Sequence, residues 1–254
     1  MNLNDVTPLI LTFNEAPNIE RTLAKLSWAE KIIVVDSHST DETLDILGRY
    51  PAVEVHFRAF DSFAAQCNYG LSKVRTAWVL SLDADYVLAD ALAEEIRMLS
   101  PSMTHAGYRV GFVTCVLGHP LKWGLYPERT VLYRKDLASY RSDGHAHRVQ
   151  VAGPTRPLNS CILHDDRKSF SRWLSSQDKY ALDEAKKLEA MSFGNMPFQD
   201  QLRSLLIPAP LIVLAYTLFV RGMIFQGLPG WYYVFQRVVA EALLSLRLIE
   251  RKLL

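Results

Sequence analysis

Short apolar runs rich in β-branched residues alternate with helix-like segments through the first hundred residues of this chain of 254 residues. This alternation predicts βαβ units, in which helices cover both faces of a buried parallel sheet. The predicted strands are PLILTF, KIIVVDS, VEVHF and AWVLSLD, and the predicted helices are PNIERTLAKL, STDETLDILGRY and FAAQCNYGLSKV. The spacing of Ser39 and Glu42 also predicts a capping box at the start of the second helix.

Beyond residue 100 the pattern changes, because strand-like runs follow one another without helices between them. This favours an antiparallel extension of the same sheet. The runs are AGYRVGFVTCVL, RTVLYR, HRVQVAG and NSCILH. One long helix is predicted over residues 169–191, and the composition changes again after residue 195. We therefore expect an α/β fold over residues 1–195, with a mostly parallel central sheet and an antiparallel extension, followed by apolar or amphipathic helices over residues 196–254.

The composition makes several classes of protein poor candidates. A net charge of +1, without zinc-finger spacing or a base-stacking motif, argues against nucleic-acid binding. Three widely spaced cysteines, Cys67, Cys115 and Cys161, fit free thiols in a reducing compartment. The first residues lack a basic segment followed by a long apolar run, so a secretory signal is not expected and the bulk of the protein is expected to stay in the cytoplasm.

Polar residues follow the ends of three predicted parallel strands: residues 12–15 (TFNE), residues 36–39 (DSHS), and Asp83 and Asp85. Ligands of open α/β sheets bind beyond these strand ends. Neighbouring carboxylates repel one another unless a cation joins them, and Mg²⁺ or Mn²⁺ prefers such oxygen ligands. The Asp-x-Asp sequence therefore suggests a metal site for a diphosphate, although a solvated acidic turn that caps the strand would have the same sequence.

Four segments in this order resemble the N-terminal half of the family 2 inverting glycosyltransferases, which have the GT-A fold: LILTFNEAPNIERTL, IIVVDSHSTDETLDI, FAAQCNYGL and WVLSLDADYVL. More closely, residues 5–190 resemble the bacterial lipopolysaccharide core β-glycosyltransferases. The resemblance implies transfer of a sugar from a nucleotide-diphosphate donor, expected to be a UDP-sugar, to a cell-envelope glycan or glycolipid. It also implies a divalent metal, Mg²⁺ or Mn²⁺.

The resemblance also assigns expected roles to particular residues. Asp36 is expected to hold the base or ribose, Asp83 to contact the ribose and the metal, and Asp85 to ligate the metal. Gln66 and Asn68 could instead cap or pin their helix. The residues implied in donor binding are Thr12, Asn14, Glu15, Asp36, Gln66, Asn68 and Asp83, and those implied in metal binding are Asp83, Asp85 and His164.

His164 has a second interpretation, because with Asp165 and Asp166 it could cap the helix that starts near Ser169. Earlier in the chain, a loop with aromatic residues is suited to stacking against a sugar at an acceptor site. It contains Trp123 and Tyr126, and Arg129 after it could assist phosphate or acceptor binding.

An inverting transfer needs a base that deprotonates the acceptor hydroxyl. Relatives usually carry a His-Glu pair just before the segment RVQVAGP, whereas this chain has His145, Ala146 and His147, so that His147 stands at the usual Glu position. The candidates for the base are Asp143 and His147, with His145 behind them. A neutral histidine is competent near neutral pH.

The uncharged segment over residues 204–220 is short for a bilayer span, and Pro208 and Pro210 interrupt its start. A re-entrant or interfacial helix at the cytoplasmic face of the bacterial inner membrane is therefore expected. An amphipathic helix follows, and from residue 201 six Lys and Arg residues outnumber two Glu residues, which favours an anionic membrane surface. A helical hairpin packed on the catalytic domain, or in a homo-oligomer interface, is the alternative.

Three other functions fit the sequence less well. A dehydrogenase would carry GxGxxG after the first strand, and a sugar nucleotidyltransferase would carry a Gly-rich basic loop there. The segment LILTFNEAPNIER has neither. A non-catalytic membrane-bound scaffold of the same fold would be favoured by loss of Asp83 and Asp85, and both are present.

Overall fold

The structure is a computed structural model that describes residues 1–100, 105–122, 124–143 and 146–253, without the side chains of residues 142, 143 and 146–148. The described chain forms two compact units. The first unit comprises the described residues of Met1–Pro120 and Leu125–Arg167, and the second those of Leu121–Gly124 and Lys168–Leu254. The functional boundary expected after residue 195 stays a prediction.

The first unit contains all the strands and the first four α-helices of the described residues. The strands are β1 (Val6–Thr12), β2 (Ile32–Asp36), β3 (Val53–Phe57), β4 (Trp78–Asp83), β5 (Tyr86–Leu88), β6 (Gly107–Val116), β7 (His119–Pro120), β8 (Arg129–Arg134), β9 (Ala138–Asp143), β10 (Ala146–Val151) and β11 (Thr155–His164). The helices are α1 (Ile19–Ala24), α2 (Thr43–Leu47), α3 (Phe63–Lys73) and α4 (Asp90–Met98).

The central sheet of the described residues has the strand order β3-β2-β1-β4-β8-β6-β11-β5, and β7 pairs with β6 at its end. Strands β3, β2, β1 and β4 are parallel neighbours. Strand β8 runs antiparallel to β4 and β6, β11 runs parallel to β6, and β5 runs antiparallel to β11. The predicted α/β class with a mostly parallel sheet is confirmed.

The predicted extension of the sheet is only partly correct. Strand β8 is antiparallel as expected, but β11 is parallel to β6, and β10 pairs with β9 in a separate two-stranded sheet. The physical reason is burial, because Tyr140, Val149 and Val151 of this pair pack into the cluster around α3. Strand pairing follows the surface that buries the apolar face, which periodicity alone does not reveal.

Alternate residues of the parallel strands enter two hydrophobic clusters, one on each face of the sheet. Leu9 and Ile33 pack with Leu71 of α3. The next residues along each strand, Ile10 and Val34, belong to the cluster that includes α1 and α2. Because a strand alternates its faces with a period of two, burial on both faces explains the continuous apolar runs in the sequence.

The close approach of α3 to β1 depends on Gly70. A Cβ at this position would lie 2.4 Å from Cδ1 of Leu9, whose side chain is buried. We expect Gly70→Ala to lower the free energy of unfolding by about 1–3 kcal/mol, as overpacking does. Chemical denaturation measures the change. Gly111→Ala is the control, because a Cβ there would meet no atom within 4 Å, and an equal loss in both variants would contradict the packing argument.

The second unit is helical in its described residues. It contains α5 (Phe170–Glu189), α6 (Phe198–Arg203), α7 (Pro208–Ala215), a π-helical turn (Tyr216–Val220) and α8 (Gly227–Leu253). Helices α5 and α8 pack through Ala185 and Leu188 against Leu244 and Leu248. In the part of the chain that the structure describes, no helix combines the length and apolarity that crossing a bilayer would require.

A buried ion-pair triad crosses the interior of this helical unit. Arg203 of α6 lies 2.8 Å from Oε1 of Glu184 in α5 and 3.3 Å from Oε2 of Glu241 in α8. Both glutamate side chains are only 5% exposed. Glu241 therefore lies on the packed face of α8, whereas Phe235 and Leu246 on its apolar stripe are exposed.

Candidate active site

Asp36 is the centre of a buried hydrogen-bond network where β1 and β2 end. Its Oδ2 accepts hydrogen bonds from the hydroxyls of Thr12 at 2.7 Å and Ser39 at 2.6 Å, and its Oδ1 accepts from the Ser39 amide at 2.7 Å. Asp36 is fully buried. The carboxylate thus fixes the two strand-end loops relative to each other, and its contact with a donor stays a prediction.

Asn14 and Glu15 join the same two loops. Asn14 adopts a left-handed backbone conformation with φ 55°. Its Oδ1 accepts from the amides of Thr40 and Asp41 at 2.6 and 3.2 Å, while the Glu15 amide donates to the hydroxyl of Thr43 at 2.7 Å. The structure therefore brings the predicted donor-binding residues of the first two strand ends together.

The predicted capping box is wrong. Helix α2 begins at Thr43, after Glu42 as the N-cap residue, which makes no side-chain cap hydrogen bond. Ser39 instead donates to Asp36, and the Thr43 amide donates to Asp41 at 3.1 Å. The hydroxyl expected to cap the helix is thus used to order the loop that precedes it.

Gln66 and Asn68 have different surroundings on α3. The Gln66 amide donates to the Ser37 hydroxyl at 3.1 Å and to the Arg58 carbonyl at 2.9 Å, and its buried Oε1 has no partner among the described residues. Asn68 exchanges two hydrogen bonds with the backbone of Tyr140, at 2.9 and 3.0 Å. Asn68 therefore pins β9 to α3. The donor-binding roles of both residues stay predictions.

The Asp-x-Asp segment lies between β4 and β5 and is held by backbone contacts. The buried hydroxyl of Thr22 in α1 donates to the carbonyl of Ala84 at 2.7 Å. The amide of Asp165 donates to the carbonyl of Asp85 at 3.1 Å. Helix α1 and the end of β11 thus fix the turn that presents Asp83 and Asp85.

Asp85 and His164 meet across the β5–β11 pair, although 79 residues separate them. His164 Nε2 lies 3.2 Å from Asp85 Oδ2. Burial lowers the pKa of His164, but the Asp85 carboxylate raises it by more, so the pKa of the imidazole lies above its ordinary value. The alternative, that His164 caps the next helix, is wrong, because the Ser169 side chain caps α5.

Two tyrosines and an arginine surround this pair. The Tyr126 and Tyr86 rings lie 4.6 and 5.4 Å from the His164 ring, and their hydroxyls are hydrogen-bonded to each other. Burial raises the pKa of both phenols, and the charge of Asp83 adds to this effect. The Arg129 guanidinium lies 4.4 Å from the centre of the Tyr126 ring.

Arg129 adds a guanidinium group to this cluster. Burial lowers the pKa of its guanidinium, but the neighbouring tyrosines, Asp83 and Asp85 outweigh that effect and the pKa is raised. The cluster thus combines two carboxylates, an imidazole and a guanidinium. The two carboxylates repel an anionic group, so the cluster can bind one only where cations balance the charge of the carboxylates.

The carboxylate and imidazole groups of this cluster only partly fit a divalent metal site. Within the described residues, no group of three or more His, Cys, Asp and Glu is arranged to hold a metal ion. The Asp85 carboxylate and the His164 imidazole do form a contacting pair of suitable chemistry. Mg²⁺ is commonly bound by one or two carboxylates together with substrate phosphates and water, whereas an imidazole ligand suits a transition metal such as Mn²⁺ better. The pair therefore fits Mn²⁺ that arrives with a diphosphate better than it fits Mg²⁺. The metal-binding roles of Asp83, Asp85 and His164 stay predictions.

The structure does not describe the side chains of the candidates for the base. The structure gives the backbone of Asp143, opposite Ala146, and of His147, opposite Ser142. His145 and Trp123 lie outside the described residues altogether. Their predicted roles therefore remain predictions.

Two residues of the site were missed by the sequence reasoning. Tyr86 directly follows Asp85 at the start of β5, and its position after the Asp-x-Asp could have marked it. Thr22 gave no such signal, because a threonine within a short amphipathic helix looks like an ordinary packing residue.

Thr22→Val is expected to displace the Asp-x-Asp segment, because it leaves the Ala84 carbonyl without its hydroxyl donor. Loss of a residue that orients metal ligands lowers activity or metal affinity about 10- to 100-fold. Metal-dependent nucleotide binding and sugar transfer measure the effect. Thr22→Ser keeps the hydroxyl and should retain near-normal activity, and an equal loss in both variants would contradict the anchoring role.

Comparison with known proteins finds a family match for the N-terminal part of the chain. Residues 9–116 match the family described as Glycosyl transferase family 2. The chain is a glycosyltransferase. Its N-terminal part matches this family, as the four motifs predicted.

Similar proteins include bacterial glycosyltransferases. An uncharacterized glycosyltransferase of Rickettsia bellii is 26% identical over 198 residues, which cover 72% of this chain and 67% of the relative. The lipopolysaccharide core biosynthesis glycosyltransferase LpsC of Rhizobium meliloti is 26% identical over 141 residues, or 54% of this chain and 50% of LpsC. The crystal structure of S. aureus TarS 1-349 with UDP-GlcNAc is 12% identical, with a TM-score of 0.47 over 98% of this chain and 91% of TarS.

Proposed function

We propose that the protein transfers a sugar, with inversion, from a nucleotide-diphosphate donor to a cell-envelope glycan or lipid-linked acceptor. The observation that carries this proposal is the contact between Asp85 and His164 beside Asp83 and Arg129, at the ends of β4 and β11 in a family 2 domain. The relationship to LpsC supports an envelope acceptor. A UDP-sugar, which the sequence resemblance implies, is the first donor to test.

Some residues of the site are proposed to orient the donor, and others to supply charge or accept a proton. The Asp36 network holds the two loops between which a nucleoside would lie, so it orients the donor. Arg129 supplies a fixed positive charge near the carboxylates, suited to a leaving diphosphate. Asp143 or His147 is proposed to take the proton from the acceptor hydroxyl.

Asp85 and His164 are the residues that would hold a divalent metal. When bound, such an ion neutralises the charge that develops on the leaving nucleoside diphosphate. His164 must give up its proton to act as a ligand. The aromatic rings of Tyr86 and Tyr126 pack against the imidazole and restrict its orientation.

Melting temperature against a panel of UDP, GDP, CDP and dTDP tests the proposal, because a ligand that binds only the native state stabilises it. Each nucleotide is measured with Mn²⁺, with Mg²⁺ and with EDTA. We expect a rise for one nucleotide that requires the metal. If no nucleotide raises the melting temperature under any condition, the donor proposal is wrong.

We also propose that the helical unit contacts the cytoplasmic face of a membrane through exposed apolar side chains. Ile207, Phe219, Phe225 and Leu228 are 69–86% exposed. These residues all fall within residues 207–228 of the helical unit, and a contiguous exposed apolar patch marks an interaction surface.

The basic residues of this segment support the membrane proposal less than the sequence suggested. Arg203, Arg237, Arg247 and Arg251 form ion pairs with carboxylates, three of which, Asp178, Glu184 and Glu189, lie on α5 before residue 201. Their charge is therefore largely balanced within the unit. We expect apolar insertion to contribute more than attraction to anionic lipids.

Vesicle sedimentation distinguishes these contributions. The double variant Phe225→Ser/Leu228→Ser should bind vesicles at least about fivefold more weakly, because both side chains lose apolar area. Met98→Ser, which removes a side chain 74% exposed in the other unit, is the control. Similar binding to zwitterionic and anionic vesicles is expected. If the double variant binds vesicles normally but loses a homo-oligomer in ultracentrifugation, the surface is an oligomer interface instead.

A further inference from the structure

We propose that a second cleft of the first unit binds an organic phosphate, an anion that carries a small apolar body. The cleft is an open cavity of about 350 Å³ between α1, β5, the β6–β7 turn and the end of β11. None of its side chains is among the residues expected to bind the donor or the metal or to act as the base, although the Asp165 amide holds the Asp85 carbonyl. The proposal is independent of the sugar donor and of any metal.

Strand register places this cleft on the other face of the sheet from the Asp85–His164 pair. Leu163 is paired with Val87, and the next residues, His164 and Tyr86, are paired with each other. Consecutive side chains of a strand point to opposite faces. Val87 and Leu163 line the cleft, so it opens behind the candidate active site.

The charged residues of the cleft are mainly cationic. Arg21, Lys25 and Arg167 line it together with one carboxylate, Asp165. The Asp165 side chain is 6% exposed, whereas those of Arg21, Lys25 and Arg167 are 26%, 39% and 42% exposed. The negative charge therefore lies at the floor of the cleft, and the positive charges lie nearer its opening.

The buried carboxylate does not account for all of these cations. Asp165 is paired with both guanidinium groups, through Arg21 Nη1 and through Arg167 Nε and Nη2, the last two at 2.9 Å. The single negative charge of Asp165 balances only one of these two positive charges. Arg21 Nε is shielded from solvent without a hydrogen-bond partner among the described residues. Lys25 pairs with Asp90 at 2.5 Å, but that carboxylate is 89% exposed and does not line the cleft, so the pair is weak.

Gly118 keeps room for one of these guanidinium groups. Its φ is +88°, its amide donates to Asp165 Oδ1 at 2.9 Å, and a Cβ there would lie 2.5 Å from Arg167 Nη2. The turn between β6 and β7 thus lets the Arg167 side chain lie across it. Asp165 already uses Nε and Nη2 of Arg167, so a phosphate would be held by the remaining Nη1 group and by the positive charge of the cleft.

The other walls of the cleft are apolar. Ala24 of α1, Val87 of β5 and Leu163 of β11 face the cavity together with the cations. Inorganic phosphate would satisfy the cations alone and leave these walls in contact with water. A phosphate ester with a short hydrocarbon group would satisfy both, because burial of apolar area contributes to affinity.

Isothermal titration calorimetry in EDTA and at constant ionic strength tests the proposal with inorganic phosphate and butyl phosphate. EDTA removes any metal that could recruit phosphate to Asp83 and Asp85. Wild-type protein should bind butyl phosphate at least about fivefold more tightly than inorganic phosphate. Lys25→Gln should weaken both by at least about threefold, since it removes one charge while leaving the contacts of Asp165 intact.

Two further variants separate specific binding from general charge effects. Arg49→Gln removes a cation whose side chain is 64% exposed and which lies outside the cleft lining, and it should change neither affinity. Val87→Thr should weaken butyl phosphate while leaving inorganic phosphate unchanged. The proposal is overturned if neither phosphate binds more than a chloride control, or if Lys25→Gln and Arg49→Gln have equal effects. Equal affinity for inorganic phosphate and butyl phosphate would contradict the proposal that the apolar walls contribute to binding.

Discussion

Asp85→Asn is expected to lower sugar transfer about 10²- to 10³-fold, while the melting temperature stays close to that of the wild type. The size of the loss is that of removing one group that stabilises charge in a transition state. Asparagine keeps the volume of the side chain and one oxygen, but it lacks the negative charge that would attract a metal to the contact with His164 at 3.2 Å. Transfer to acceptor, or donor hydrolysis, measures the loss at saturating Mn²⁺.

Asp90→Asn is the matched control for this variant, because it makes the same chemical change five residues away. The Asp90 side chain is 89% exposed, and among the described residues its ion-pair partner is Lys25. Activity of this control should stay within about twofold of wild type, since exposed ion pairs contribute little. Full activity of Asp85→Asn with Mn²⁺ would remove Asp85 from the reaction and leave Asp83 as the candidate carboxylate.

The first half of the fold was predictable because its strands are buried on both faces. Continuous apolar runs marked β1, β2 and β4, and the intervening periodic segments marked their helices. Strand β8 was also predicted, with the residues of RTVLYR. Strands β5 and β9 were missed, because the first has only three residues and the second, ASYRSD, is largely polar.

The candidate site was predictable in part for the same reason. Residues that follow parallel strands are brought together by the sheet itself, which explains why Thr12 and Asp36 meet. The contact between Asp85 and His164 depends on the pairing of β5 with β11, a tertiary event that no local pattern encodes. The family resemblance, rather than periodicity, supplied His164 as a candidate.

The C-terminal segment shows how local charge counting can mislead. The excess of basic residues after residue 201 predicted attraction to an anionic surface. The carboxylates that balance Arg203, Arg247 and Arg251 come largely from α5, upstream of the counted segment. Arginines that a charge count treats as free therefore pair with carboxylates and help to hold the helices together.

Arg203→Met is expected to lower the free energy of unfolding by about 3–5 kcal/mol, the cost of leaving buried charges unpaired. Glu184 and Glu241, each 5% exposed, would lose the cation between them. Lys187 at 3.7 Å and Arg237 at 3.9 Å would remain as more distant partners. Methionine preserves most of the side-chain volume, so the loss reports charge rather than a cavity. Differential scanning calorimetry and urea denaturation measure it.

Arg247→Met is the matched control, because it is the same substitution at another arginine with two carboxylate partners. Those partners, Asp178 and Glu250, are 44% and 52% exposed. Water can solvate them when the arginine is removed, so the expected loss is below about 1 kcal/mol. Adding Glu184→Gln and Glu241→Gln to Arg203→Met should restore at least half of the lost stability, since neutral amides cost less to bury than unpaired carboxylates. If Arg203→Met and Arg247→Met lose equal stability, burial of the triad does not control the packing of α5, α6 and α8.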